Sequence, residues 1–128
     1  ERKEMGKKHF THGRLKVFMT IILAVILIVL VVVCAKKIKL AQNEKNIIGT
    51  WKNSSSENVI TVQDSDTLIL YNDIPEAGLY HGNASYHFSY TDTICITQDD
   101  ISAEFDIDVD ENQLIIYFAG QVYLVLQK

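Results

Sequence analysis

Cations are almost missing from the C-terminal two-thirds of this chain. Residues 47–128 contain only Lys52 and Lys128 against thirteen Asp and Glu, a formal charge of −11. Such a segment repels polyanions, which argues against nucleic acid as a partner. The partners it favours are cationic: a metal ion, a basic peptide or a basic protein surface. Cysteine is scarce as well. Cys34 ends an apolar run and Cys95 falls inside an expected strand. A mutual disulfide is therefore not expected, and both read as free or structural thiols. No Gly-x-Ser-x-Gly, phosphate loop or Cys–His arrangement occurs, so the chain is not read as an enzyme. His81 and His87 lie six residues apart with no cysteine nearby, which is not a metal-ligand spacing, and no metal or cofactor is expected.

What is present begins with the opposite charge. Residues 1–46 hold ten Lys and Arg against three Glu. Within this basic part lies Val17–Ala35, nineteen residues without charge, Gly or Pro. As a helix it would be about 28 Å long at ~1.5 Å per residue, close to the hydrocarbon thickness of a bilayer. Its many β-branched residues are mediocre helix formers in water, but lipid forces the backbone to satisfy its own hydrogen bonds. Signal-peptide cores are shorter and end in small residues, which Val31-Val32-Val33 does not provide. Lipidation at Cys34 would want a small residue in place of Val33. An uncleaved transmembrane helix is therefore expected, with Met5 a candidate start of translation. Six cations precede the helix and four follow it, so the positive-inside rule places the N-terminus in the cytoplasm. The expected organisation is a basic cytoplasmic tail (1–16), a transmembrane helix (17–35), a helical stalk without breakers (36–46) and an extracytoplasmic β-domain (47–128). The stalk lysines could meet anionic lipid headgroups, but simple flanking of a membrane helix is the preferred explanation.

From Ile47 onward the pattern changes to alternation, the mark of half-buried strands. Tyr86–Tyr90 and Phe105–Val109 are the clearest cases. Others are Ile48–Lys52, Asn58–Gln63, Thr67–Tyr71, Thr93–Thr97, Asn112–Phe118 and Val122–Gln127. Short turns at Asp64-Ser65-Asp66, Thr91-Asp92, Asp110-Glu111-Asn112 and Ala119-Gly120 make neighbours antiparallel. Three similar hairpins recur, so the fold class expected is mainly β with one N-terminal transmembrane helix. Its β part is an antiparallel meander of about eight short strands, forming a small barrel or strongly curled sheet. In the last hairpin both faces are apolar, with Leu114, Ile116 and Phe118 opposed to Ile115 and Tyr117. Val122, Leu124 and Leu126 are likewise opposed to Tyr123 and Val125. Either a second layer covers this pair or it presents a docking patch that includes Tyr117 and Tyr123.

Ile48-Gly49-Thr50-Trp51 at the head of this meander resembles the Gly-x-Trp opening of lipocalin-like (calycin-type) domains. Residues 47–128 as a whole resemble the small lipocalin-like domains of membrane-anchored Gram-positive extracytoplasmic proteins. The resemblance implies structural roles for Gly49 and Trp51, with Trp51 plugging one barrel end. Two features depart from that pattern. The family pairs this Trp with an Arg near the last strand, whereas Lys128 is the nearby cation here. The domain is also about half the usual length, which favours a filled interior over a ligand cavity.

Two surfaces are candidate partner sites. Glu104, Asp106, Asp108 and Asp110 alternate with apolar residues and form an acidic stripe along one strand. The stripe starts like a calcium loop, but Glu111 stands where glycine is needed and Tyr117 where the bidentate Glu belongs. It reads as a solvated face or as a weak site for a cation or cationic peptide. The longest connector, Asn72–Asn83, contains the sole proline and carries Leu79, Tyr80 and His81. Long loops on rigid sheets are common carriers of function, although an irregular crossover is the plainer explanation. Asn53-Ser-Ser and Asn83-Ala-Ser match glycosylation sequons, a short pattern that recurs by chance. These features point to an interaction module, such as an accessory subunit of a membrane complex or an immunity-type protein. The alternative is a lipocalin-like binder of a small apolar or cationic ligand.

Overall fold

The computed structural model describes the backbone of residues 2–128 and the side chains of 13–128. Met5 and the tail cations Arg2, Lys3, Lys7 and Lys8 lie outside the described side chains. The chain forms two compact units, divided between Lys36 and Lys37.

The first unit is helical. One helix, α1, runs from Arg2 to Asn46. From Gly13 onward it has the length and apolar composition of a membrane span, with none of the most apolar window buried. The large apolar residues of Val17–Val33 are exposed on every side, from Ile22 at 37 % to Val31 at 67 %. A helix apolar all round has no face to turn to water, so lipid is the surrounding it fits.

The second unit begins with the last turns of α1, from Lys37. The segment read as a stalk is helical as expected, but it groups with the barrel. Asn43 and Ile47 are 2 % and 1 % exposed. Eight strands follow: β1 (Gly49–Lys52), β2 (Asn58–Val62), β3 (Thr67–Leu70), β4 (Gly82–Tyr90), β5 (Thr93–Gln98), β6 (Ile101–Val109), β7 (Gln113–Phe118) and β8 (Gln121–Gln127). Each pairs antiparallel with the next, and β8 returns to β1, closing a barrel. The closure is narrow, a single pair between Lys52 and Gln127. β4 and β6 start four residues earlier than their alternation indicates. Gly82–Ser85 are small or polar and Ile101–Glu104 have one large apolar residue, Ile101; both stretches become strand by pairing with β3 and β5.

The three repeated hairpins are β2–β3, β4–β5 and β6–β7. Two of their turns use the same device. Asp64 Oδ1 accepts from the N–H groups of Asp66 and Thr67 and from the Thr67 hydroxyl. Asp110 Oδ1 accepts from the N–H groups of Asn112 and Gln113. Such Asx turns replace backbone partners that a tight reversal removes. The Tyr86 hydroxyl donates to the Asp64 carbonyl, tying β4 to the first of these turns. Burial, with Asp64 nearby, pushes the Tyr86 pKa up to about 12.

Inward residues fill the barrel. Trp51, Phe105, Leu68, Leu70, Ile96, Leu114 and Leu126 are all at most 2 % exposed. On β6 the alternation is strict: Phe105, Ile107 and Val109 point in, while Glu104, Asp106 and Asp108 are exposed. The final hairpin departs from simple alternation. The register shifts between Ile116 and Tyr117, pairing Ile116 with Leu124 but Tyr117 with Val122. Tyr123 is the extra residue of a β-bulge. It therefore joins Leu124 and Leu126 against the core, and Val122 moves to the outer face beside Val125. The expected grouping of Val122 with Leu124 and Leu126 is thus corrected. Of the two readings of this hairpin, a covering layer or an exposed patch, the outer face at Val122 and Val125 follows the second, at 59 % and 50 % exposure.

One rim is closed by residues far apart in sequence. Gly49 turns the chain from α1 into β1 at φ +135°, a conformation that L side chains rarely adopt. Trp51 is fully buried, and its indole N–H donates to the Ile47 carbonyl at 2.8 Å. Above it the Lys128 ammonium lies 5.0 Å from the ring centroid and donates to the Asn46 carbonyl at 3.1 Å. A cation at the C-terminal end of a helix meets both an orphan carbonyl and the negative end of the dipole.

Candidate functional site

Two of the acidic-stripe residues and one residue of the apolar hairpin converge on a cleft of about 480 Å³. Asp106 and Asp108 supply one wall from the outer face of β6. Tyr117 of β7 stands beside them, paired across the ladder with Asp106. Asp92 reaches in from the β4–β5 turn, and Lys39 and Asn43 come from the last turns of α1. Asp106 is partly engaged: one of its oxygens accepts from the Thr93 hydroxyl at 2.8 Å, which satisfies a residue only 7 % exposed. Among the described residues, the carboxylates of Asp92 and Asp108 accept no hydrogen bond. Lys39 is not within ion-pair distance of any of the three.

The other expected site residues lie elsewhere. Glu104 is exposed on β6 beyond the cleft, opposite Cys95. Asp110 serves the β6–β7 turn, and the two N–H groups it accepts hold its pKa below the ordinary carboxylate range. Leu79 is a correction: at 0 % exposure it belongs to the core and offers nothing to a partner. Its burial follows from a one-turn 3-10 helix at Pro75–Ala77 and a bridge to Ile74, which turn the connector inward. Tyr80 is 62 % exposed, on a backbone clamped at both N–H and carbonyl by the Gln98 side chain. The His81 ring nitrogen lies 2.6 Å from Asp73, which also accepts the His81 backbone N–H. These contacts lower the Asp73 pKa. Tyr123 donates its hydroxyl to Glu76 at 2.9 Å. Desolvation and then Glu76 raise its pKa. Both cysteines are free, Cys34 exposed on α1 and Cys95 half-buried on β5.

Sequence reasoning did not single out Asn43, Lys39 or Asp92. Asn43 had no signal, because a polar residue in a polar helical segment looks solvated. Asp92 was read only as a turn residue, which it also is.

A second pocket of about 120 Å³ sits among Ile60, Leu70, Ile74, Tyr123 and Leu124. Ligand pockets for small molecules run about 300–1,000 Å³. The space here suits a few waters of about 30 Å³ each rather than a lipocalin-type ligand. Among the described residues no three His, Cys, Asp or Glu side chains are grouped to hold a metal ion.

No family model matches the chain, and no curated protein or solved structure is similar to it. The class is therefore set by architecture alone. This is a closed eight-stranded antiparallel barrel whose chain enters from a helix long and apolar enough to cross a membrane.

Proposed function

We propose that the chain is a membrane-anchored, non-enzymatic interaction module. In this reading α1 is retained as a single-pass anchor with the N-terminus in the cytoplasm. The barrel is displayed outside the cytoplasm, in the manner of the small lipocalin-like domains it resembles. Its partner is another membrane or extracytoplasmic protein with a basic surface, as for an accessory subunit or an immunity-type protein. One observation carries the reading: the barrel interior is filled by its own side chains, while the unneutralised charge stands on the outer face. A filled interior favours this reading over the lipocalin-like alternative, a small ligand inside the barrel.

The test is capture of the full chain from its own membranes in mild detergent, followed by mass spectrometry of what co-purifies. A partner recovered at low salt and released as salt rises supports the reading, since exposed charge pairs are screened within a Debye length of about 10 Å at 0.1 M. Recovery of this chain alone would sink it.

A further inference from the structure

We propose that the cleft between the end of α1 and the outer face of β6–β7 is a guanidinium site, which takes an arginine side chain from a basic peptide segment of the partner. This rests on the module reading above and names its point of contact.

The first observation is that the unengaged groups of the cleft wall are dominated by acceptors. Among the described residues the carboxylates of Asp92 and Asp108 accept no hydrogen bond, and one Asp106 oxygen is free after the other accepts from Thr93. The second observation is independent of the carboxylates. Asn43 lines the same cleft, is 2 % exposed, and has a buried Oδ1 with no hydrogen-bond partner. Its amide cannot be turned round to relieve this, because Nδ2 donates to the Thr91 carbonyl at 2.8 Å and an oxygen placed there would face an oxygen. Buried polar groups are almost always paired, so an orphaned side-chain oxygen on a residue that lines the cleft marks a place where a donor is wanted.

Donor chemistry narrows the ligand. A divalent ion needs ligands converging within about 2–2.6 Å, and these carboxylates are not so grouped. An ammonium is a compact point charge with three donors. A guanidinium presents five N–H donors in a planar fork and can serve separated acceptors together. The cleft volume of about 480 Å³ admits such a side chain. The Asn43 oxygen is sealed from water, so the wall must shift for a donor to reach it. Lys39, one turn earlier on the same helix face, is exposed and pairs with none of the three carboxylates.

The experiment uses the full chain in neutral detergent and a fluorescent, end-blocked peptide containing three arginines, with a lysine counterpart, at fixed ionic strength. Binding is read by anisotropy. The double variant Asp92→Asn/Asp108→Asn should weaken the arginine peptide at least about tenfold, the size of a lost charge-assisted contact. The control Asp99→Asn/Asp100→Asn removes the same charge from the exposed β5–β6 turn and should change affinity less than about twofold, as expected of a screened surface charge. Asn43→Ala should weaken arginine binding while sparing lysine binding. Should that variant misfold, the aspartate pair still decides, since neither carboxylate holds anything in the fold. Equal losses in the two double variants, equal affinity for the arginine and lysine peptides, or no binding would each overturn the assignment. A captured partner indifferent to Asp92→Asn/Asp108→Asn would overturn the cleft and leave the module. An arginine peptide that binds the cleft, with no protein captured, would do the reverse.

Discussion

Replacing Lys128 tests whether the rim of the barrel is locked from its last residue. The ammonium lies 5.0 Å over the Trp51 ring and donates to the Asn46 carbonyl at the end of α1. An exposed cation–π contact is worth about 0.5–1 kcal/mol. A cation at a helix C-terminus adds about 0.3–1 kcal/mol. Lys128→Ala should therefore cost about 1–2 kcal/mol, or roughly 4–16 °C at about 4–8 °C per kcal/mol for a domain of this size. Gly49 makes the argument sharper. A Cβ at Gly49 would sit 2.8 Å from Lys128 Cε, on a backbone already at φ +135°. Gly49→Ala thus carries a backbone cost of about 1–2 kcal/mol and also displaces the lysine. Once Lys128 is gone, that second cost disappears. The double variant Gly49→Ala/Lys128→Ala should be less destabilised than the sum of the singles by about 1 kcal/mol. Trp51 is the only tryptophan in the chain, so its fluorescence during urea unfolding reports the barrel without contribution from α1. Additivity within about 0.5 kcal/mol would refute the lock, because independent sites add to that tolerance.

Three further outcomes follow from the fold. Phe105 is 1 % exposed and stacks 5.2 Å from Phe118, so Phe105→Ala should cost about 3–5 kcal/mol and unfold the barrel at moderate urea in the same assay. Asp64 is held down to about 2 by the N–H and hydroxyl groups it accepts, and Asp73 and Asp110 are lowered in the same way. A depressed folded pKa gives stability that is present above the ordinary carboxylate value of about 3.9 and lost as pH falls towards the folded one. The melting temperature should fall between about pH 4 and pH 2, and Asp64→Ala should flatten part of that slope; an unchanged slope would show the turn carboxylate to be a bystander. For orientation, a reporter enzyme that folds only outside the cytoplasm should be active fused after Lys128 and inactive fused before the tail, and the reverse pattern would move the search for partners to the cytoplasm.

Most of the barrel could be read from the chain because alternation and turn chemistry are local. All eight strands coincide with alternating or apolar runs, and the turns at Asp64–Asp66 and Asp110–Asn112 are built by the residues that announced them. What was not legible depended on partners. The first halves of β4 and β6 lack alternation and become strand through the ladder. The bulge at Tyr123 has no local mark, since Val122–Leu126 is apolar throughout and any register would bury something. Leu79 looked like a loop residue because nothing near it in sequence shows that the connector folds inward. The candidate site divides in the same way. Its carboxylates stand out as an outward stripe between inward residues, but the cleft needs Lys39 and Asn43, which only the packing of the last turns of α1, from Lys37, brings into one cleft with Asp106.

The acidic stripe should cost the fold something, and that cost separates a binding surface from a structural one. Glu104, Asp106 and Asp108 project from the same face of β6, and unlike Asp64 and Asp110 only Asp106 supports a neighbour, through Thr93. Like charges on adjacent same-face positions are destabilising by a few tenths of a kcal/mol. Asp108→Asn removes one charge and no internal hydrogen bond. It should therefore raise stability at neutral pH by about 0.2–0.5 kcal/mol, most clearly at low salt, where screening is weakest. Residues that lower stability and support nothing internal are those whose return must come from outside the molecule, as in the trade between stability and function at binding sites. If Asp108→Asn were instead destabilising, the stripe would be part of the scaffold and the case for a partner on this face would lose its electrostatic half. If it stabilised the barrel and weakened partner capture together, one residue would tie the surface charge to binding.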